Sequence, residues 1–246
     1  MLFGPLALVT LLAVAPAATD CTASEAAWQW GFKESFRAYL SGSIAQGEWT
    51  TSGDVEYETP AFFTDTARGE VSLLSLSGEL AAEGGMRFTG HAGILDTTID
   101  DIRLRFDGAG GLTVVADIVG TTQDFEPVDA TDVTFLTGDL EAALWRVEGD
   151  QLVIADVPLT LTASGAEAFG TYPQGEAFDP MTVRVSTTQE CAQQALDARA
   201  PSGLVAVGLW VAAGLGALLV AVAAIAALRR RRRRAIDDRH AHESGA

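Results

Sequence analysis

Side chains suited to metal binding or nucleophilic chemistry are scarce in this 246-residue sequence, which contains only two cysteines and three histidines. His240 and His242 fall in the C-terminal tail, so His91 is the sole histidine of residues 20–200. A structural zinc site needs three or four His, Cys or carboxylate ligands and is therefore nearly excluded. A Ser-His-Asp hydrolase could use His91, but no Gly-x-Ser-x-Gly motif is present, and we expect no enzyme.

Basic side chains are also in short supply, with 16 Lys and Arg against 33 Asp and Glu and a formal net charge of −17. The excess of acids is concentrated in residues 20–200, and a domain of that charge repels phosphate backbones. We therefore expect no nucleic-acid partner. Calcium held by acidic side chains such as Asp96, Asp100 and Asp101 stays open, although no loop has the spacing of an EF-hand.

Both ends of the sequence lack charge over long stretches. Residues 1–18 combine an apolar run with an Ala-Pro-Ala site, which predicts a signal peptide. Residues 203–228 carry no charged side chain and are long enough to predict a transmembrane helix. Six arginines, Arg229 to Arg234, follow directly. Such a cluster stays in the cytoplasm, so we expect a single-pass cell-membrane protein with an extracellular domain and a cytoplasmic tail of residues 229–246.

The two cysteines, Cys21 and Cys191, stand near the two ends of the predicted extracellular segment. Oxidising surroundings favour a disulfide between them. The bond would close a loop of about 170 residues, for which chain entropy gives an upper figure of roughly 5 kcal/mol. The sequence therefore predicts one domain over residues 20–191, followed by a stalk over residues 192–202.

Hydrophobic periodicity within this domain predicts a mainly β fold. Residues 24–40 have a helical period, with Lys33, Glu34 and Arg37 away from the apolar arc. After residue 43 the period becomes two, and turn residues recur about every ten positions. This pattern favours an antiparallel β-sandwich or a partly open barrel with one short N-terminal helix.

Three short segments stand out because each contains a tyrosine or the single histidine of residues 20–200. Residues 30–39 place Tyr39 on the buried face of the predicted helix. Residues 88–93, Phe-Thr-Gly-His-Ala-Gly, place His91 on a strand between glycines, and residues 169–180 contain Tyr172. From periodicity alone, each of these side chains could equally be part of an ordinary core or turn.

These three segments occur in the same order as the motifs of the HtaA domain, the haem-transport-associated module of surface haem-uptake proteins, which the chain resembles over about residues 26–186. The resemblance implies ferric haem as the ligand, with Tyr39 as the axial iron ligand and His91 hydrogen-bonded to its phenolate. It also implies that the remaining pocket residues are Tyr172, Ser35 at a haem propionate, and Phe88 and Phe169 as apolar wall.

The same resemblance implies a role in haem transport. A single module with a signal peptide and an anchor would take haem, for example from haemoproteins, and pass it toward the haem-binding protein of an ABC transporter. The main alternative is a structural or adhesive surface β-domain without a cofactor. A second alternative is a hydrolase that uses two of the many carboxylates as its acid and base.

Overall fold

The computed structural model describes residues 21–121 and 126–199, which form twelve strands and three α-helices. The strands are β1 (Thr22–Trp30), β2 (Glu48–Thr51), β3 (Glu56–Glu58), β4 (Ala61–Ser72), β5 (Ser77–Ala81), β6 (Met86–Gly90), β7 (Leu95–Asp107), β8 (Gly111–Thr121), β9 (Pro127–Asp139), β10 (Leu144–Glu148), β11 (Gln151–Leu161) and β12 (Ala177–Ser186). The helices are α1 (Glu34–Leu40), α2 (Ala163–Phe169) and α3 (Gln189–Asp197).

Eight of the strands form a closed antiparallel barrel. They pair in the order β7, β5, β4, β1, β12, β11, β9 and β8, and β8 pairs again with β7 to complete the circuit. The prediction of a mainly β, antiparallel fold is confirmed, but the barrel is closed rather than partly open, and it carries three helices rather than one. Closure satisfies the backbone groups that an open sheet would leave at its two edges.

Strand alternation sets the inside of the barrel. On β7, Ile102, Leu104 and Phe106 are buried, while Arg105 between them is exposed. A register shift near Asp101, a residue with φ of 50°, marks a bulge that bends this strand. A long strand that is bent in this way can pair with β6 along its first half, with β5 along its second half and with β8 along both.

The predicted helix over residues 24–40 is wrong in its first half. Residues 22–30 form β1, in which Ala26, Trp28 and Trp30 point into the core with a period of two. The chain turns at Phe32, whose φ of 62° is left-handed, and the helix begins only at Glu34. Pairing with β4 and β12 supplies the backbone hydrogen bonds of β1, so tertiary structure overrides a helical spacing of aromatic residues.

Phe32 is the centre of an aromatic core. It is fully buried, and its ring centroid lies 4.8 Å from that of Phe88 and 5.0 Å from that of Trp30. Four more rings lie within 6.2 Å of it, those of Phe36, Phe135, Phe169 and Phe178. These rings come from β1, α1, β6, β9, α2 and β12, so a single side chain links six elements.

The ends of the described domain are joined by a Cys21–Cys191 disulfide, as the sequence predicts. The bond ties the residue before β1 to α3, and α3 reaches into the predicted stalk as far as Asp197. None of the helices within residues 21–121 and 126–199 is long and apolar enough to cross a membrane. The predicted signal peptide, transmembrane helix and basic tail lie outside the described residues.

Replacing Phe32 by alanine tests the role of this core. We expect Phe32→Ala to lower the free energy of unfolding by about 4 kcal/mol, because it leaves a cavity among six rings. Leu144→Ala is the control, because Leu144 is 61% exposed on β10 and its loss should cost less than about 0.5 kcal/mol. Denaturant titration followed by tryptophan fluorescence measures both values, and equal losses would contradict the assignment.

Candidate functional site

Helix α1 presents two of the predicted site residues on one exposed face. Ser35 and Tyr39 are four residues apart and therefore lie one above the other on the helix. Phe36 and Leu40 point into the core and hold the helix against the barrel. Tyr39 is 42% exposed, which corrects the expectation that it lies on the buried face. That expectation failed because the apolar arc included Trp28, which belongs to a strand.

His91 lies on a tight turn rather than on the predicted strand. Strand β6 ends at Gly90, and His91, Ala92 and Gly93 follow with φ values of 52°, 55° and 93°. Two of these residues carry a Cβ, and the left-handed conformation costs such residues about 1–2 kcal/mol each. The backbone N–H of His91 donates to the carbonyl oxygen of Ala45 at 2.7 Å, which fixes the turn in this conformation.

The turn directs the imidazole at the helix. His91 Nε2 is hydrogen-bonded to the Tyr39 hydroxyl, and the two ring centroids lie 5.8 Å apart. Two large apolar side chains are exposed beside this pair. Ile44 precedes the Ala45 carbonyl that holds the turn, and the Ile94 N–H donates to the His91 carbonyl oxygen at 3.3 Å. The structure thus brings an exposed tyrosine and an imidazole together, with exposed apolar residues in the segments that flank the turn.

Tyr172 approaches the same face of α1 from the other side. It follows α2, which ends at the left-handed residue Gly170, and its ring packs against that of Phe36 of α1, with centroids 6.3 Å apart. Burial raises the pKa of the Tyr172 phenol, while the Ser35 hydroxyl and the positive charge of Lys33 act in the opposite direction. The side chain is half-buried and stacks on Phe169, with ring centroids 6.2 Å apart.

Phe88 and Phe169 lie beneath the site. Both are buried, and both pack against Phe36 of α1, at centroid distances of 5.2 Å and 5.5 Å. They support the helix from below and present no open surface. The structure therefore places them in the core behind the site, whereas the sequence suggested a wall facing the ligand.

The sequence analysis missed two buried cations at the start of α1 and within it, because it placed them away from the apolar arc. Lys33 and Arg37 are each 8% exposed. The Lys33 ammonium pairs with Glu176, and the Arg37 guanidinium contacts Asp179, so each cation is matched by an acid near the start of β12. No sequence pattern predicts these pairs, because the partners are more than 140 positions apart in the chain.

A surface cleft of about 710 Å³ lies beside α1, where Glu34, Arg37 and Trp49 line it. No group of three or more metal-ligating side chains occurs in the described part of the chain, so Asp96, Asp100 and Asp101 do not form a calcium site there. Asp96 is instead engaged by Arg87, whose hydrogen bonds lower the pKa of that carboxyl.

Comparisons with known proteins agree with this architecture. The family model HtaA, described as Htaa, matches residues 25–184. The C-terminal domain of HtaA from Corynebacterium glutamicum is 28% identical, with a TM-score of 0.58 over 67% of this chain and 98% of that domain. The N-terminal domain of the same protein is also 28% identical, with a TM-score of 0.54 over 68% and 98%.

A further crystal structure, that of the haem-binding protein HtaB from C. glutamicum, has a TM-score of 0.52 over 67% of this chain and 94% of that one. At 22% identity this likeness concerns the fold alone. Comparison with curated proteins gave no significant match.

The exposure of Tyr39 predicts that its hydroxyl matters little for folding. We expect Tyr39→Phe to lower the free energy of unfolding by no more than about 1 kcal/mol, because an exposed hydrogen bond exchanges readily with water. Denaturant titration of Tyr39→Phe and Phe32→Ala under the same conditions compares their free energies of unfolding. A loss for Tyr39→Phe as large as that for Phe32→Ala would show that the Tyr39–His91 contact is part of the structural core.

Proposed function

The chain belongs to the HtaA family, and on that premise we propose that it is a cell-surface protein that captures ferric haem through Tyr39 and passes it toward a membrane haem-uptake system. The haem assignment draws on the family and on HtaB, a haem-binding protein of the same fold. The observation that carries the proposal is the exposed Tyr39 hydroxyl with His91 Nε2 bonded to it.

The donor set fits ferric iron. A free phenol has a pKa of about 10 and is mostly protonated at neutral pH, so it needs a neighbour that favours the phenolate. His91 Nε2 can accept the phenol proton and then donate a hydrogen bond to the phenolate oxygen. A hard anionic oxygen prefers ferric to ferrous iron, which suits binding and storage of oxidised haem rather than oxygen chemistry.

The surroundings of this pair suit a flat, partly apolar ligand. Ile44 and Ile94 are 77% and 58% exposed and lie next to the residues that hold the His91 turn, so they can cover part of a porphyrin. Ser35 is exposed on the same helix face as Tyr39 and can donate to a propionate oxygen. Tyr172, which packs against Phe36 of the same helix, would close that side of the site.

The exposure of Tyr39 also suits the transfer of haem to another protein. One exposed axial ligand allows an incoming protein to displace it, whereas two buried ligands would hold the haem too firmly for a relay. We propose that haem arrives from haemoproteins and leaves to the binding protein of a haem ABC transporter. We also propose that residues 203–228 anchor the chain in the cell membrane, with the domain outside, and that the protein is not an enzyme.

A spectroscopic titration tests the haem proposal. We expect the 246-residue chain, mixed with ferric haem, to develop a Soret band with high-spin features, and Tyr39→Ala to abolish most of it because the axial oxygen is lost. Tyr57→Phe is the matched control, because Tyr57 contacts Arg37 and Trp49 away from His91. Wild-type protein without any Soret change would favour the structural or adhesive surface domain instead.

The histidine has a separate expected signature. We expect His91→Ala to keep haem bound but more weakly, with a shifted charge-transfer absorption, because the phenolate loses its hydrogen-bond partner while the iron keeps its ligand. Affinity and absorption spectra of the variant are measured against wild type. Spectra and affinity identical to wild type would remove His91 from the site.

A further inference from the structure

We propose that Lys33, which nothing in the sequence marked as functional, is a positioning residue that holds Tyr172 against α1 at the haem site. The inference rests on the proposed function and concerns a residue that does not itself reach the ligand. Lys33 is buried, and its side chain crosses from the start of α1 to the segment that carries Tyr172.

The ammonium group of Lys33 contacts this segment at several points. It pairs with Glu176 Oε1 at 2.7 Å and donates to the carbonyl oxygen of Ala177 at 2.8 Å. It also lies over the rings of Tyr172 and Phe178, at 4.8 Å and 5.6 Å from their centroids. An acid, a carbonyl and two aromatic faces therefore compensate one desolvated charge.

The position of these contacts explains how the Lys33 charge positions the loop that carries Tyr172. Lys33 is the residue immediately before α1, the helix that carries Ser35 and Tyr39. Glu176 and Ala177 stand where the Tyr172 loop runs into β12. The ammonium thus fastens the loop to the start of the helix, and the Tyr172 ring packs on Phe36 three residues further along. Without the charge, Glu176 loses the ion pair that ties it to the start of the helix.

Arg37 provides a matched control on the same helix. It is as buried as Lys33 and also pairs with an acid near β12, Asp179 at 3.6 Å. Its other contacts are the Gly31 carbonyl oxygen at 2.7 Å and the Tyr57 hydroxyl at 3.3 Å. Arg37 therefore faces Tyr57 and the 710 Å³ cleft, away from Tyr172.

The chain has only three tyrosines, and each lies beside a different basic or imidazole side chain: Tyr39 beside His91, Tyr57 beside Arg37 and Tyr172 beside Lys33. In the ligand-free 246-residue chain labelled with ¹³C-tyrosine, Tyr172→Phe assigns the Tyr172 ring signals. We expect Lys33→Met to shift the Tyr172 signals and leave those of Tyr57, and Arg37→Met to do the reverse. Tyr172 signals unchanged in Lys33→Met would overturn the proposal.

Haem dissociation gives the functional measurement. We expect Lys33→Met to keep its Soret band, because Tyr39 and His91 are untouched, and to release haem to excess apomyoglobin about tenfold faster. Arg37→Met should stay within about twofold of wild type. Tyr172→Ala should also release haem faster, and Lys33→Met added to it should bring no further increase, because the lysine acts through that tyrosine. Additive effects would overturn the proposal.

A second variant and the use of ligand-free protein keep the test decisive. Glu176→Gln leaves Lys33 in place but removes the partner charge, so it should shift the same Tyr172 signals even if Lys33→Met folds poorly. The signals of ligand-free protein do not depend on haem. A wild-type chain that binds no haem would therefore defeat the proposed function, while the NMR comparison would still decide whether Lys33 positions Tyr172.

Discussion

The hydrogen bond between the Tyr39 hydroxyl and His91 Nε2 joins two segments that are 52 residues apart, and most of the local structure serves to make it. Tyr39 sits on a helix of only seven residues, too short to be stable alone in water. His91 sits on a left-handed turn that is unfavourable for residues with a Cβ. Neither segment would hold its side chain in place without the barrel beneath it.

The aromatic core supplies that support. Phe36 anchors α1 on Phe88 and Phe169, and Phe88 lies on β6, the strand that leads directly into the His91 turn. Helix and turn therefore rest on the same rings. Because interiors are closely packed, a shift of one ring would be transmitted to both segments. The candidate site is exposed and the rings beneath it are buried, so the residues proposed to bind haem differ from those that stabilise the fold.

The sequence predicts much of this arrangement and misses the rest for identifiable reasons. Alternation on β7 and the two cysteines point correctly to antiparallel strands and to the Cys21–Cys191 bond. The helix start is misjudged because Trp28 has both helical and strand spacing, and only pairing with distant strands decides between them. No sequence pattern predicts the left-handed turn at His91, because a hydrogen bond to the distant Ala45 carbonyl oxygen stabilises it. Lys33 and its partner Glu176 meet only through the fold.

The charge of the domain explains why the proposed haem binding depends strongly on the Tyr39 oxygen. Haem carries two anionic propionates, and the acidic domain repels them at a distance. The two buried cations beside the site offer little compensation, since Lys33 is paired with Glu176 and Arg37 with Asp179. In the proposed complex, attraction then comes from the iron–phenolate bond, from apolar contact and from the hydrogen bond that Ser35 can donate to a propionate. A ligand held mainly by one accessible bond can be taken over by a protein that supplies another axial ligand, which is the property that a relay requires.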